Sequence, residues 1–317
     1  MQEGLYESLL TQQLQRDLER AQSSDQVEAV LARIDEAEQP EVLARHVRDA
    51  AHRVLSSTRD PLRRVQIVNA ILGQLDAADD DILEEPRQLL SVTRPNAPGR
   101  VTLDGPRPST PLSDAALLTN SHGEPTLGAE LRAELDTADD VDLLCAFVKW
   151  HGLRVLEPEL HRLRQRRTPL RVITTTYMGA TERAALDRLI REFGAEVRIQ
   201  YDALRTRLHA KAWLFRRATE FDTAYVGSSN LSRSALLEGV EWNVRLSRVA
   251  TPGLLEKFRA TFDTYWNEPG FQLYDPERDR DRLDDALAEA SGQSRSDRVT
   301  VSLRDWRCGH SRIRRRC

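Results

Sequence analysis

Short apolar runs of strand length recur between residues 141 and 247, separated by stretches of helical periodicity, and this alternation limits the chain to a layered α/β arrangement. The runs are Val141–Phe147, Leu170–Thr176, Glu196–Tyr201, Leu208–Phe215, one that ends at Gly227, and Val240–Ser247. Helical patterns fall at Leu127–Thr137, Leu153–Arg166, Thr181–Phe193 and Gly253–Trp266, with a shorter one at Ser232–Leu237. Gly194 follows the third of these as a C-cap glycine. The last three strands succeed one another without long helices, so the sheet is predicted to be mixed rather than purely parallel. The expected fold is a layered α/β/α sandwich over residues 113–270.

The flanks read differently. Residues 1–93 carry leucines and valines at helical spacing: Leu5, Leu9, Leu10, Leu14 and Leu18, then Val27, Val30, Leu31 and Ile34, then Val42 to Val54, then Pro61 to Leu75. They predict an all-α helical bundle ahead of the sandwich. Residues 94–112 hold five prolines and two glycines and predict a linker. Residues 271–317 are dominated by charge and are expected to be a disordered or truncated tail. Within it Cys308, His310 and Cys317 match no four-ligand zinc pattern, so no metal is expected.

Charge bounds the partners. With 46 basic against 50 acidic residues the net charge is −4, so any nucleic-acid contact must come from a local patch. Three cysteines are too few, and odd in number, for a disulfide framework. No signal segment opens the chain, and no apolar run approaches the roughly 20 residues of a membrane span. A cytoplasmic protein without membrane contact is expected. No Gly-Lys pair occurs, hence no phosphate loop and no ATPase activity in this chain.

The chemistry concentrates in one place. In the run His209-Ala210-Lys211 the histidine and lysine are two apart on a strand and therefore share a face. Only three lysines occur, Lys149, Lys211 and Lys257, so Lys211 is not a product of abundance. The next run ends in Gly227-Ser228-Ser229-Asn230, a compact set of hydroxyl and amide groups, and Glu241 follows. Such a set suits a phosphate. Arg205 and Arg207 flank it and are candidate substrate-phosphate contacts, with Thr175 and Ser229 beside them. Cys145, Trp213, Phe215 and Trp242 are read as core.

This pattern, H-x-K followed by G-S-x-N, resembles that of the phospholipase D superfamily. From residue 120 to 268 the chain is similar to the phospholipase D-like module at the N-terminus of bacterial DEAD/DEAH-box helicases. The resemblance implies a metal-independent phosphodiesterase that needs no cofactor. His209 is then the nucleophile and forms a phosphohistidine. Lys211, Asn230 and Ser228 hold the non-bridging oxygens, and Glu241 supports the histidine. The family faces two motifs across one centre; this chain has one, so a homodimer is implied, with a second His209 as the acid. It also implies nucleic acid as substrate, DNA favoured, and a helicase motor in the same or a separate chain. The family's Asp five residues after the lysine is Arg216 here. That departure keeps open an alternative, a catalytically weak or inactive phosphate-binding module. A phospholipid hydrolase is the third reading, opposed by the lack of an export signal or membrane-binding helix.

Overall fold

The structure, a computed structural model, describes residues 8–25, 29–77, 81–82, 87–90, 107–202 and 208–292. The chain divides into two units, Met1–Leu90 and Ser91–Cys317.

The first unit is helical: α1 (Gln12–Asp25), α2 (Gln39–Ser57) and α3 (Pro61–Gln74). Asp60 caps α3 by accepting the Leu62 N–H at 3.1 Å, and Pro61 occupies the first turn, where its missing N–H costs nothing. Arg64 ties α3 to the end of α2 through the Leu55 and Thr58 carbonyls. Two expectations change. Residues 29–35, where Val30, Leu31 and Ile34 promised a helix, have none, and both Val30 and Leu31 are exposed. The helices also enclose little core: α2 buries no residue and α3 only Val65. Their apolar stripes are amphipathic in sequence, but nothing within the described unit covers them.

The second unit is the sandwich. Its elements are β1 (Ala116–Leu118), α4 (Leu127–Thr137), β2 (Asp140–Cys145), α5 (Trp150–Leu153), α6 (Glu157–Gln165), β3 (Leu170–Thr175), α7 (Arg183–Arg191), β4 (Glu196–Gln200), β5 (Lys211–Arg216), β6 (Thr223–Gly227), α8 (Arg233–Leu237), β7 (Asn243–Ser247), α9 (Pro252–Asn267), β8 (Phe271–Leu273) and α10 (Arg280–Ala290). Eight strands form one mixed sheet in the order β1-β7-β6-β5-β2-β3-β4-β8. β2, β3 and β4 are parallel, as their helical crossovers require. β5 lies antiparallel to β2, and β6, β7 and β1 continue antiparallel beyond it. Gly194 ends α7 with φ +73°, the left-handed conformation that favours glycine.

Alternation along the strands sends one set of side chains under α4, α6 and α7 and the other under α9. Leu143, Val172, Val197 and Phe215 join Leu131, Leu160, Leu186 and Leu189 on the first face. Leu144, Ile173 and Ala212 meet Phe262 and Trp266 on the second. β7 reverses the expected sense: its polar residues Asn243, Arg245 and Ser247 are buried, and Val244 is exposed. The cause is Glu134, fully buried on α4, which accepts from Tyr225 Oη (2.8 Å), Thr223 Oγ1 (2.9 Å), Arg245 Nη2 (3.2 Å) and Arg217. Arg245 Nη1 also donates to the Pro111 and Asp114 carbonyls at 2.7 Å each. A buried carboxylate thus draws two guanidinium groups inward and turns the apolar residues out. Val226, Val244 and Leu117 stand in register across β6, β7 and β1 on the α9 face, all exposed.

The expected boundary at 270 also moves. β8 pairs with β4, and Tyr274 and Leu283 are buried in the main core. Tyr274 Oη donates to Asp187 at 2.7 Å, and Arg183 bridges Asp187 and Asp284. Residues 271–290 therefore complete the sandwich. The remainder of the expected tail, with Cys308, His310 and Cys317, lies outside the described residues.

Candidate active site

All the chemically active groups gather at one end of the sheet, outside the carboxyl ends of β2, β3, β4 and β6 and the amino ends of β5 and β7, a usual place for ligands in α/β folds. His209 reaches it on an extended segment entering β5. That segment is fixed on both sides: Leu208 N–H donates to Gln200 Oε1 (3.3 Å), and Ala146 N–H donates to the Ala210 carbonyl (3.1 Å). The imidazole is exposed and meets the edge of Phe147, ring centroids 6.0 Å apart. Lys211 lies beneath it, buried. Its Nζ is 3.0 and 3.1 Å from the two ring nitrogens and donates to the His209 carbonyl at 2.7 Å. Burial pushes the ammonium below the usual lysine range, opposed by the Glu241 carboxylate. Cys145, opposite Lys211 in register, is buried; its thiol is pushed up to about 11 by burial.

The Gly-Ser-Ser-Asn turn is held by backbone from two directions. Ser228 N–H donates to the Trp242 carbonyl and Trp242 N–H returns a bond to Ser228 Oγ, each 3.1 Å. Ser228 Oγ donates to the Glu241 carboxylate. From the other side Val148 bridges Leu231; Leu231 N–H donates to the Phe147 carbonyl (3.2 Å) and Lys149 N–H to the Leu231 carbonyl (3.0 Å). Asn230 presents a buried Oδ1 with no partner. Its amide nitrogen is the group that could donate to a phosphate oxygen. Gly152 closes the packing, because a Cβ there would overlap the Leu231 carbonyl. Gly152→Ala is therefore expected to shift the turn and lower turnover by about 10- to 100-fold, checked by kcat with the circular-dichroism spectrum unchanged.

The structure brings His209, Lys211, Ser228, Asn230 and Glu241 to this rim and reassigns several others. Thr175 is fully buried; its hydroxyl donates to the Gln200 carbonyl (3.2 Å) and accepts from Tyr177 N–H (3.1 Å), so it holds the ends of β3 and β4 rather than a substrate. Ser229 is buried too, accepting from Asn243 Nδ2 at 2.9 Å. Glu241 is bonded to Ser228, and no hydrogen bond joins it to His209 in the described residues. Trp242, expected in the core, is 63% exposed, because the inward turn of Asn243 and Arg245 sends its side chain out. Trp213 and Phe215 are buried and stacked as expected. Arg205 and Arg207 lie outside the described residues. Arg216 stands at the far end of β5, about 17 Å from Lys211 at strand rise, and pairs with Asp140 and Asp142. Arg216 therefore lies away from the rim that holds His209 and Lys211.

One neighbour escaped the sequence reading, Phe147, which passed for the end of an apolar strand and here meets His209. Two concavities, about 310 and 530 Å³, lie along α9, and neither is lined by His209, Lys211 or Asn230. The His209 residue itself is exposed. Among the described residues no three His, Cys, Asp or Glu side chains group as metal ligands, and no helix is long and apolar enough to cross a membrane.

Comparison with known proteins agrees with the motif. Residues 135–266 match the family described as cardiolipin synthase, PLD-like domain. No curated protein matches the chain. Similar solved structures include NucT from Helicobacter pylori (12% identity, TM-score 0.40, covering 51% of this chain and 99% of that one). Another is the phospholipase D family member Nuc from Salmonella typhimurium (17% identity, TM-score 0.39, 51% and 99%). A third is phosphatidylserine synthase from Haemophilus influenzae (10% identity, TM-score 0.37, 55% and 44%). The matched segment, 135–266, holds His209, Lys211, Ser228 and Asn230, and over it the chain is similar to the PLD-like domain family.

Proposed function

We propose that the protein is a phosphodiesterase acting on nucleic acid, DNA favoured, through a phosphohistidine and without a metal. The observation that carries this is the contact of His209 with Lys211 on the rim that also holds Ser228 and Asn230. A ring nitrogen of His209 attacks phosphorus while the bond to the leaving oxygen breaks, leaving the phosphoryl group on the histidine. Lys211 and the Asn230 amide stabilise the non-bridging oxygens. Water then attacks phosphorus, the P–N bond breaks, and His209 is released. The leaving oxygen needs a proton, which the partner's His209 supplies across a homodimer, a contribution of about 10²–10⁴ in rate.

One feature supports the shared site: beside the rim, Trp242, Val244, Val226 and Leu117 present an exposed apolar row of the kind that a second copy covers. The alternative, a catalytically weak or inactive phosphate-binding module, draws on Arg216 and on the resemblance to helicase-linked modules; the pairing of Arg216 with Asp140 and Asp142 at the far end of β5 weighs against the first of these. The test compares wild type with His209→Ala on single- and double-stranded DNA in excess chelator. Wild type is expected to cleave and to yield an acid-labile phosphorylated His209; the variant should do neither. Cleavage that persists in His209→Ala, or that chelator abolishes, sinks the proposal.

A further inference from the structure

The segment that follows β2 lies against the catalytic turn. Val148 is buried and bridged to Leu231, and the hydrogen bonds of Phe147 and Lys149 to Leu231 fix residues 147–149 beside Asn230. Lys149 is extended, φ −119° and ψ 144°. Side chains alternate along extended backbone, so Phe147 and Lys149 point to one side and Val148 to the other. The side of Phe147 is the side of the site: its ring meets His209, and Lys211 Nζ lies 5.9 Å from its centroid.

Lys149 is exposed, and its ammonium has no hydrogen-bond or ion partner among the described residues. Neighbouring arginines are neutralised instead, as Arg183 is by Asp187 and Asp284. Lys149 is an unpaired cation on a backbone-fixed mount, about 7 Å along the chain from Phe147, whose ring meets the His209 imidazole.

We infer that Lys149 receives the phosphate adjoining the scissile one, so that the site is made for a polymer of regularly spaced phosphates. This rests on the phosphodiesterase reading above. The test uses an oligonucleotide and bis(p-nitrophenyl) phosphate, a diester with no neighbouring phosphate, on the full chain. Lys149→Ala is expected to raise KM for the oligonucleotide about 5- to 10-fold and to lower the slope of log KM against log salt by roughly 0.7 to 0.9. Its kcat on the oligonucleotide and its turnover of the small diester should stay within about 2-fold of wild type. Lys149→Arg should restore most of the affinity. Equal KM in wild type and Lys149→Ala, or equal losses on both substrates, overturns the assignment and leaves the phosphodiesterase standing. A wild type that hydrolyses neither substrate overturns both.

Discussion

Co-expression of wild-type and His209→Ala chains in equal amounts is expected to leave roughly a quarter of wild-type activity, against a half if each subunit worked alone. The reason lies in the proton inventory of the reaction. One imidazole must be unprotonated to attack and another must carry a proton for the leaving oxygen, so a dimer with a single His209 lacks one of the two roles. The chain offers no other H-x-K, and among the described residues no second imidazole is in contact with His209. A homogeneous His209→Ala dimer should lose roughly 10⁴-fold or more, since groups that act as a unit fail together. Tagging the two chains differently and purifying the mixed dimer makes the measurement direct. A mixed dimer with half the wild-type rate would show each subunit to be self-sufficient.

The largest effect on stability is expected at Glu134. Glu134→Gln keeps the shape of the side chain but leaves Arg245 and Arg217 buried without their counter-charge. Breaking a buried pair in this way costs about 3–5 kcal/mol. For a unit of this size that corresponds to a fall of about 6–20 °C in the melting temperature. The loss should concentrate where Glu134 acts, because Arg245 also anchors Pro111 and Asp114 and so holds the approach to β1. Hydrogen exchange is expected to rise first in β7 and β1. A variant melting within about 2 °C of wild type would mean that packing, not this network, fixes the inward face of β7.

That network also shows where sequence reasoning stops. The strands at 141, 170 and 211 were legible because each is a short, mostly apolar run buried on both faces, and the motif at 209–230 was legible because its residue types are rare in such runs. The facing of β7 was not. Val240, Trp242, Val244 and Leu246 alternate as a core face should, and nothing local says that a glutamate more than 100 residues earlier will bury the opposite set. The charged stretch after 270 misled for a related reason: its few apolar residues, among them Tyr274 and Leu283, find their partners on α7 and β4, and composition hides them. Thr175 and Ser229 looked available because hydroxyls at strand ends are ambiguous until their hydrogen bonds are seen. The first unit failed in the other direction, since helical periodicity at 27–34 was not enough without a surface to cover it.

The seam between β2 and β5 divides labour across the sheet. Every group assigned to bond making, His209, Lys211, Ser228 and Asn230, is mounted on the antiparallel half, on β5, β6 or the turn that follows. From the parallel half, Phe147 reaches the same rim and meets His209, and Lys149 follows it on the segment after β2. Mutations beyond Phe147 in that segment are expected to alter what the protein grips without disturbing the geometry of attack. A lineage built on this frame is therefore free to change its diet while keeping its chemistry, and divergence among its members should collect on one side of that seam.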